Sequence, residues 1–228
     1  MNLLAMAQRV KRESGRAGES LTAVATAVGE DLDVVRWVVD AWTEIQQMPY
    51  NWAWMRDSIL GNLVINASAH SPISLGATNC SHFVPVSNDY SPTVYDSTNT
   101  NAEWELEWCR YEVFRSRFIV GPQTSAAPQY WSIAPSGDFL VGPAPALSTY
   151  VLRADYVQSP IELAADLDEP AMPSDFHMMV VWKAIMHAGA SDAASDVWSR
   201  ASSEFDRLLD RLIDRQGEKI RNTARPLA

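Results

Sequence analysis

The hydrophobic period of this chain changes twice along its length, and that change limits the folds open to it more than any single motif does. Toward the N-terminus, Val34, Val35, Val38, Ala41, Trp42, Ile45 and Met48 recur at steps of three and four, as one face of a helix does. Asp31 or Asp33 is placed to cap that helix, and Pro49 ends it, because proline has no amide hydrogen and clashes with the turn before it. A shorter helix is expected over residues 2–12, interrupted by the glycines between Ser14 and Gly18. Helical spacing returns after Pro173, where Ser174 can cap a helix carrying Phe176, Met179, Val180, Ala184 and Ile185, with Gly189 at its end or at a bend. In the last helix Val197, Trp198, Ala201, Phe205, Leu208, Leu209 and Leu212 form an apolar stripe, and Glu204, Asp206, Arg207, Asp210, Arg211, Asp214 and Arg215 take the other faces. Arg207 with Asp210, and Arg211 with Asp214, stand three apart and are expected to pair, for about 0.2–0.5 kcal/mol each. Trp198, Phe205 and Leu209 are expected to be buried against the helix of residues 34–48.

From 57 to 173 the texture differs: prolines, Ser/Thr/Asn clusters and short β-prone runs replace the helical period. Expected strands are Ile59–Asn66, weakened by Gly61, then His82–Val86, Tyr130–Ala134, Phe139–Val141 and Tyr150–Val157. Tyr111, Phe114 and Phe118 share a helical face, so Arg110–Phe118 is expected to be a short helix inside this region. The fold class that follows is α+β: a helical bundle from the two ends of the chain (1–56 and 174–216), an inserted β-rich lobe (57–173), and an extended C-terminal arm (217–228). Helical period stops at Gly217. In the arm Lys219, Arg221 and Arg225 against Glu218 give +2, which from a total of -10 leaves -12 for the rest.

That acidic balance disfavours a nucleic-acid clamp, which needs clustered Lys and Arg to neutralise phosphates. The N-terminal apolar run is too short for a secretion signal, and no apolar stretch approaches the roughly 20 residues that span a bilayer, so a soluble protein without a membrane partner is expected. Cys80 and Cys109 are too few for a disulfide framework and fit a reducing, cytoplasmic site of assembly.

Nucleophile-elbow, phosphate-loop, dinucleotide-binding and zinc-protease motifs are absent from the sequence. His70, His82, His177 and His187 are scattered, without the i, i+4 spacing or cysteine neighbours of a zinc site, and are expected to be ordinary core or surface residues. Asp31-Leu-Asp33 and Asp166-Leu-Asp168-Glu169 lack the glycine turn and closing glutamate of a calcium loop and read as caps and solvated loops. Asn66-Ala-Ser68 and Asn79-Cys-Ser81 match a glycosylation sequon that carries little meaning without a secretion signal. Nine tryptophans, two of them in Trp104-Glu-Leu-Glu-Trp108, suit core or interface packing, with a carbohydrate-stacking platform as the alternative. In that alternative Glu105 and Glu107 supply a hydrolytic carboxylate pair. Otherwise no catalytic residue, cofactor or metal is expected.

Several segments in order resemble the head-to-tail adaptors of tailed bacteriophages, including the tail tubular protein A family. Val35-Arg-Trp-Val-Val-Asp-Ala-Trp-Thr-Glu-Ile-Gln46 and Asn51-Trp-Ala-Trp-Met-Arg56 look like the family's helix and exit strand, and Tyr111-Glu-Val-Phe-Arg115 like its mid-chain helix. Pro128-Gln-Tyr-Trp-Ser-Ile133, Gly137-Asp-Phe-Leu-Val-Gly-Pro-Ala-Pro145 and Tyr150-Val-Leu-Arg-Ala-Asp-Tyr156 resemble strands of the inserted lobe, and Pro170-Ala-Met-Pro-Ser-Asp-Phe-His177 the turn into the closing helices. Residues 66–101 match no pattern of the family. The resemblance implies a structural virion protein of the neck, assembled in the host cytoplasm, whose ring of twelve copies connects the portal to a distal tail or nozzle protein. Double-stranded DNA then passes through the channel during genome ejection without specific binding. It also implies that residues 217–228 reach the portal, with Lys219, Arg221 and Arg225 meeting acidic groups and Ile220 and Leu227 filling apolar pockets. Another neck or tail-completion protein is the neighbouring alternative.

Overall fold

The chain up to Met55 and the chain from Pro160 onward combine into one unit, and residues 56–159 form a second. The computed structural model describes residues 1–16, 21–50, 52–84, 91–192 and 194–216. Among these the helices are α1 (Leu3–Glu13), α2 (Glu30–Gln46), α3 (Tyr111–Phe118), α4 (His177–Ser191) and α5 (Ser195–Gln216). The strands are β1 (Arg56–Asn62), β2 (Ala69–His70), β3 (Cys80–Phe83), β4 (Thr93–Asp96), β5 (Asn99–Glu105), β6 (Glu107–Trp108), β7 (Tyr130–Ile133), β8 (Phe139–Gly142) and β9 (Tyr150–Gln158). The architecture is α+β.

In the helical unit α4 is the central element, packed on α1, α2 and α5. Its sequence explains this position: Met179, Val180, Val181, Trp182, Ala184, Ile185 and Ala188 cover most of its circumference, and the one polar strip, Lys183 and His187, turns onto Glu44 of α2, so the helix is packed on several sides. Around it, α1 buries Leu3, Met6, Ala7 and Val10, and α2 buries Val34, Val35, Val38, Ala41, Trp42 and Ile45. Asn2 caps α1, its side-chain oxygen accepting the Ala5 amide at 2.9 Å. The start of α2 departs from expectation. Gly29, with φ 57°, stands at the cap, so Asp31 and Asp33 fall inside the first turn with Glu30, where carboxylates complement the exposed amides. Asp31 also accepts from Lys11 at 2.6 Å, which joins α1 to α2.

Residues 160–173, expected in the β-rich lobe, belong to the helical unit. They contain no strand, and helix side chains hold their backbone. Gln46 accepts the Ile161 amide at 2.9 Å and donates to the Ile161 carbonyl at 3.1 Å, a carbonyl that Trp42 also reaches at 2.7 Å. Leu163 and Met172 are buried. Leucine and methionine in a loop gave no period, so the sequence did not show where this segment docks.

α4 follows a single tight turn, Ser174–Phe176, in which Ser174 makes no capping bond. Gly189 does not end α4, which continues to Ser191. A Cβ there would lie 3.1 Å from the Trp198 backbone nitrogen and Cβ, so glycine lets the start of α5 pass close by. α5 packs on α4 rather than on the helix that contains residues 34–46. Ala201, Phe205, Leu208 and Leu212 are buried, Leu209 is half-buried, and Trp198 is 44% exposed. The expected stripe is thus present but narrower: Ala201, Phe205, Leu208 and Leu212 form its buried seam, while Trp198 and Leu209, expected to be buried with Phe205, lie at its margin.

The β-unit holds two sheets. The first has the order β1-β9-β4-β5, antiparallel throughout, with β3 also paired to β9. The second has the order β2-β8-β7-β6, with β6 parallel to β7. β1 and β9 match residue for residue from Arg56↔Val157 to Asn62↔Val151. One apolar cluster draws on both sheets, with Ile59, Phe83, Val94, Tyr150, Leu152 and Tyr156 from the first and Trp131, Phe139 and Val141 from the second. Trp131 stacks on Phe139 at 5.1 Å, and Phe83 meets Phe139 edge-on at 5.0 Å. A second, smaller cluster of Cys109, Phe114 and Leu140 lies under α3.

The structure shortens or shifts several expected strands. β1 begins at Arg56 and stops at Asn62, leaving Val64 and Ile65 exposed in a loop, and β3 begins at Cys80. Strands β4 and β5 were not expected, since the Ser/Thr/Asn-rich stretch containing them shows no alternation. β5 is an edge strand, which needs only one partner and one buried face and so tolerates a polar sequence.

Candidate assembly surfaces

Several of the residues singled out for chemistry make contacts within the fold. His70 is buried in β2 with its ring nitrogen 3.1 Å from the Ala67 carbonyl, and burial holds its pKa below the ordinary value. His177 is buried between the Met172 carbonyl, at 3.1 Å, and the amino group of Met1. His82 is exposed beside Ser81, and His187 lies 3.3 Å from the Glu44 carboxylate. No group of three or more His, Cys, Asp and Glu side chains suited to a metal occurs among the described residues. Asp168 turns onto its own loop, accepting the Ala164 and Ala165 amides at 2.8 Å, and these bonds lower its pKa. Asp166 accepts the Val24 amide at 2.6 Å. Both carboxylates stitch the helical unit.

Trp104 and Trp108 do not form a shared platform. Trp104 is half-buried, donates to the Pro128 carbonyl at 2.6 Å and meets Tyr150 edge-on at 5.8 Å. Trp108, 41% exposed, stands edge-on to Trp131 at 4.6 Å. Glu105 ends β5 in one sheet and Glu107 begins β6 in the other, both exposed. The five expected portal-binding residues, Lys219, Ile220, Arg221, Arg225 and Leu227, lie outside the described residues.

Two helix flanks emerge instead. α3 buries Phe114 and half-buries Tyr111 and Phe118, and a Cβ at Gly142 would lie 2.6 Å from the Phe118 ring, so the helix sits tightly on β8. On its free side the helix carries Val113 and Arg117, with Arg110 at the N-cap just before it and Val120 just past its end. All four are exposed, the valines 48% and 59%. Arg117 is held over the Tyr130 ring, 5.4 Å from its centroid. Of the other arginines in the β-unit, Arg56 pairs with Asp155 at 2.8 Å and Arg153 with Glu103 at 3.1 Å. Arg110, Arg115 and Arg117 have no carboxylate partner among the described residues.

On α5, Asp206, Asp210 and Asp214 follow one another at four-residue steps, all exposed, beside half-buried Leu209 and Ile213. The expected Arg207–Asp210 and Arg211–Asp214 pairs are not formed. Arg207 turns back to Glu204 at 2.7 Å, and Arg215 crosses to Asp175 at 2.9 Å. The three aspartates have no ion-pair partner among the described residues.

A helical unit carries an inserted β-unit, and exposed charge without an ion-pair partner among the described residues lies on α5 and beside α3. The sequence model of the SU10 adaptor protein family matches residues 1–227, and the chain belongs to that family of structural phage adaptors. No curated protein matches it. Among the described residues no helix is long and apolar enough to cross a membrane.

Proposed function

We propose that this adaptor docks as a ring, with twelve copies as the expected number, on the portal of a tailed-phage head and connects it to a distal tail or nozzle protein. The observation that carries the reading is the family match over residues 1–227. The fold supports it: a helical unit and an inserted sheet unit give each copy two bodies with which to contact different neighbours. In this reading the ring encloses part of the DNA channel, and its acidic balance keeps the sliding duplex from sticking. Residues 217–228, with Lys219, Ile220, Arg221, Arg225 and Leu227, serve as the portal-docking arm.

Negative-stain microscopy of the purified protein, alone and mixed with portal, tests the reading directly. Rings that co-sediment with portal are expected. A chain that stays monomeric in both conditions overturns it.

A further inference from the structure

The two unspent helix flanks complement each other in charge and in shape of sequence. One presents two arginines without a carboxylate partner among the described residues, alternating with two exposed valines; the other presents three aspartates likewise without an ion-pair partner, alongside two half-buried aliphatic residues. At about 1.5 Å of rise per residue, the N-cap Arg110 and Arg117 near the other end of α3 are separated by roughly 10 Å along the helix axis, and Asp206 and Asp214 by roughly 12 Å along α5. Both flanks therefore offer charge over the same length. We propose that neighbouring copies meet here, with Arg110, Val113, Arg117 and Val120 of one chain against Asp206, Leu209, Asp210, Ile213 and Asp214 of the next. The proposal rests on the ring reading and assigns the surfaces that the ring uses.

Three arguments select a second copy as the occupant. A chain of charge -10 repels itself at long range, so self-association requires a local site of opposite sign, and α3 supplies unpaired positive charge while α5 supplies the negative. The valines between the arginines gain nothing from a phosphate backbone but are covered by Leu209 and Ile213, which favours protein over nucleic acid. The two flanks also differ from each other, so the contact is heterologous, the kind that propagates head to tail and closes into a ring when the rotation allows. Arg117 is already held by the Tyr130 ring, which reduces the freedom lost on docking. Stable interfaces bury about 1,200–2,000 Å², more than two short flanks provide, so this pairing sets the register within a larger contact.

The test uses the full chain. R110E/R117E and D206K/D210K/D214K should each lower ring formation at least tenfold in sedimentation velocity at low salt, with melting temperatures close to wild type because all five residues are exposed. Combining the five substitutions in one chain should restore assembly, which a misfolded variant does not do. R110K/R117K, which keeps the charge, should form carbodiimide cross-links from its lysines to Asp206, Asp210 or Asp214 between isotopically light and heavy copies. Intact rings in both charge-reversed variants overturn the proposal and leave the ring reading standing. Cross-links confined to one copy, or charge-dependent binding only to DNA or only to portal, overturn it too by giving the α3 flank another occupant. A wild-type chain that forms no ring, alone or on portal, removes both.

Discussion

Phe205 is 5% exposed at the seam between α5 and α4, with the Lys183 ammonium 5.6 Å from its ring centroid. Truncation to alanine leaves a cavity that the packed helices cannot fill, and should cost about 3–5 kcal/mol in denaturant unfolding. Trp198, 44% exposed, should lose clearly less on the same substitution, which makes the pair an internal control. Gly142 tests the opposite failure. Its missing Cβ would meet the Phe118 ring at 2.6 Å, so Gly142→Ala should destabilise by about 1–3 kcal/mol through overpacking. His70 links stability to pH. Burial lowers its pKa in the folded state, whereas the unfolded chain titrates near 6.5, so below that value the unfolded state binds the extra proton. Stability should fall as pH drops from 7 toward 5, and His70→Asn, which keeps a donor for the Ala67 carbonyl, should flatten that slope in chemical denaturation.

At the scale of the elements, legibility followed burial. The helices were readable because apolar side chains recur on one face, and the interior strands β7, β8 and β9 because their apolar runs are dense. β5 was not, because it is an edge strand whose pairing is decided by its neighbour, and β4 was not, because its four residues hold a single fully buried apolar side chain, Val94, among Ser/Thr/Asn-rich surroundings. Caps were misread for a local reason: a glycine at φ 57° can open a helix as an aspartate can, and nothing in the composition separates the two. The α3 flank was partly visible, since Arg110, Val113, Arg117 and Val120 have helical spacing. Which arginines stay unpaired was not, because it depends on strand registers that bring Arg153 to Glu103 and Arg56 to Asp155. For the arm, deleting residues 217–228 should leave the melting temperature unchanged and abolish co-sedimentation with portal. Wild-type portal binding by the truncated chain would take the arm out of the mechanism.

Across the whole molecule, a ring of copies each carrying -12 outside the arm should place many carboxylates near its pore. Filter binding of double-stranded DNA to assembled rings at about 0.15 M salt should therefore show little retention, and strong retention would refute an acidic channel lining. The way the β-unit is inserted bears on something else. The chain leaves the helical unit at Arg56 and comes back after Ser159, and these two ends adjoin the outermost part of a fully matched antiparallel pair, Arg56 opposite Val157, clasped by the Arg56–Asp155 ion pair. Paired residues in such a ladder sit about 5 Å apart, so departure and return occupy nearly one point. A segment inserted through so narrow a doorway can lengthen, shrink or be exchanged for an unrelated lobe without rethreading a single helix. The lobe between residues 56 and 159 is in this sense a detachable unit, with both of its ends at one place in the chain's path.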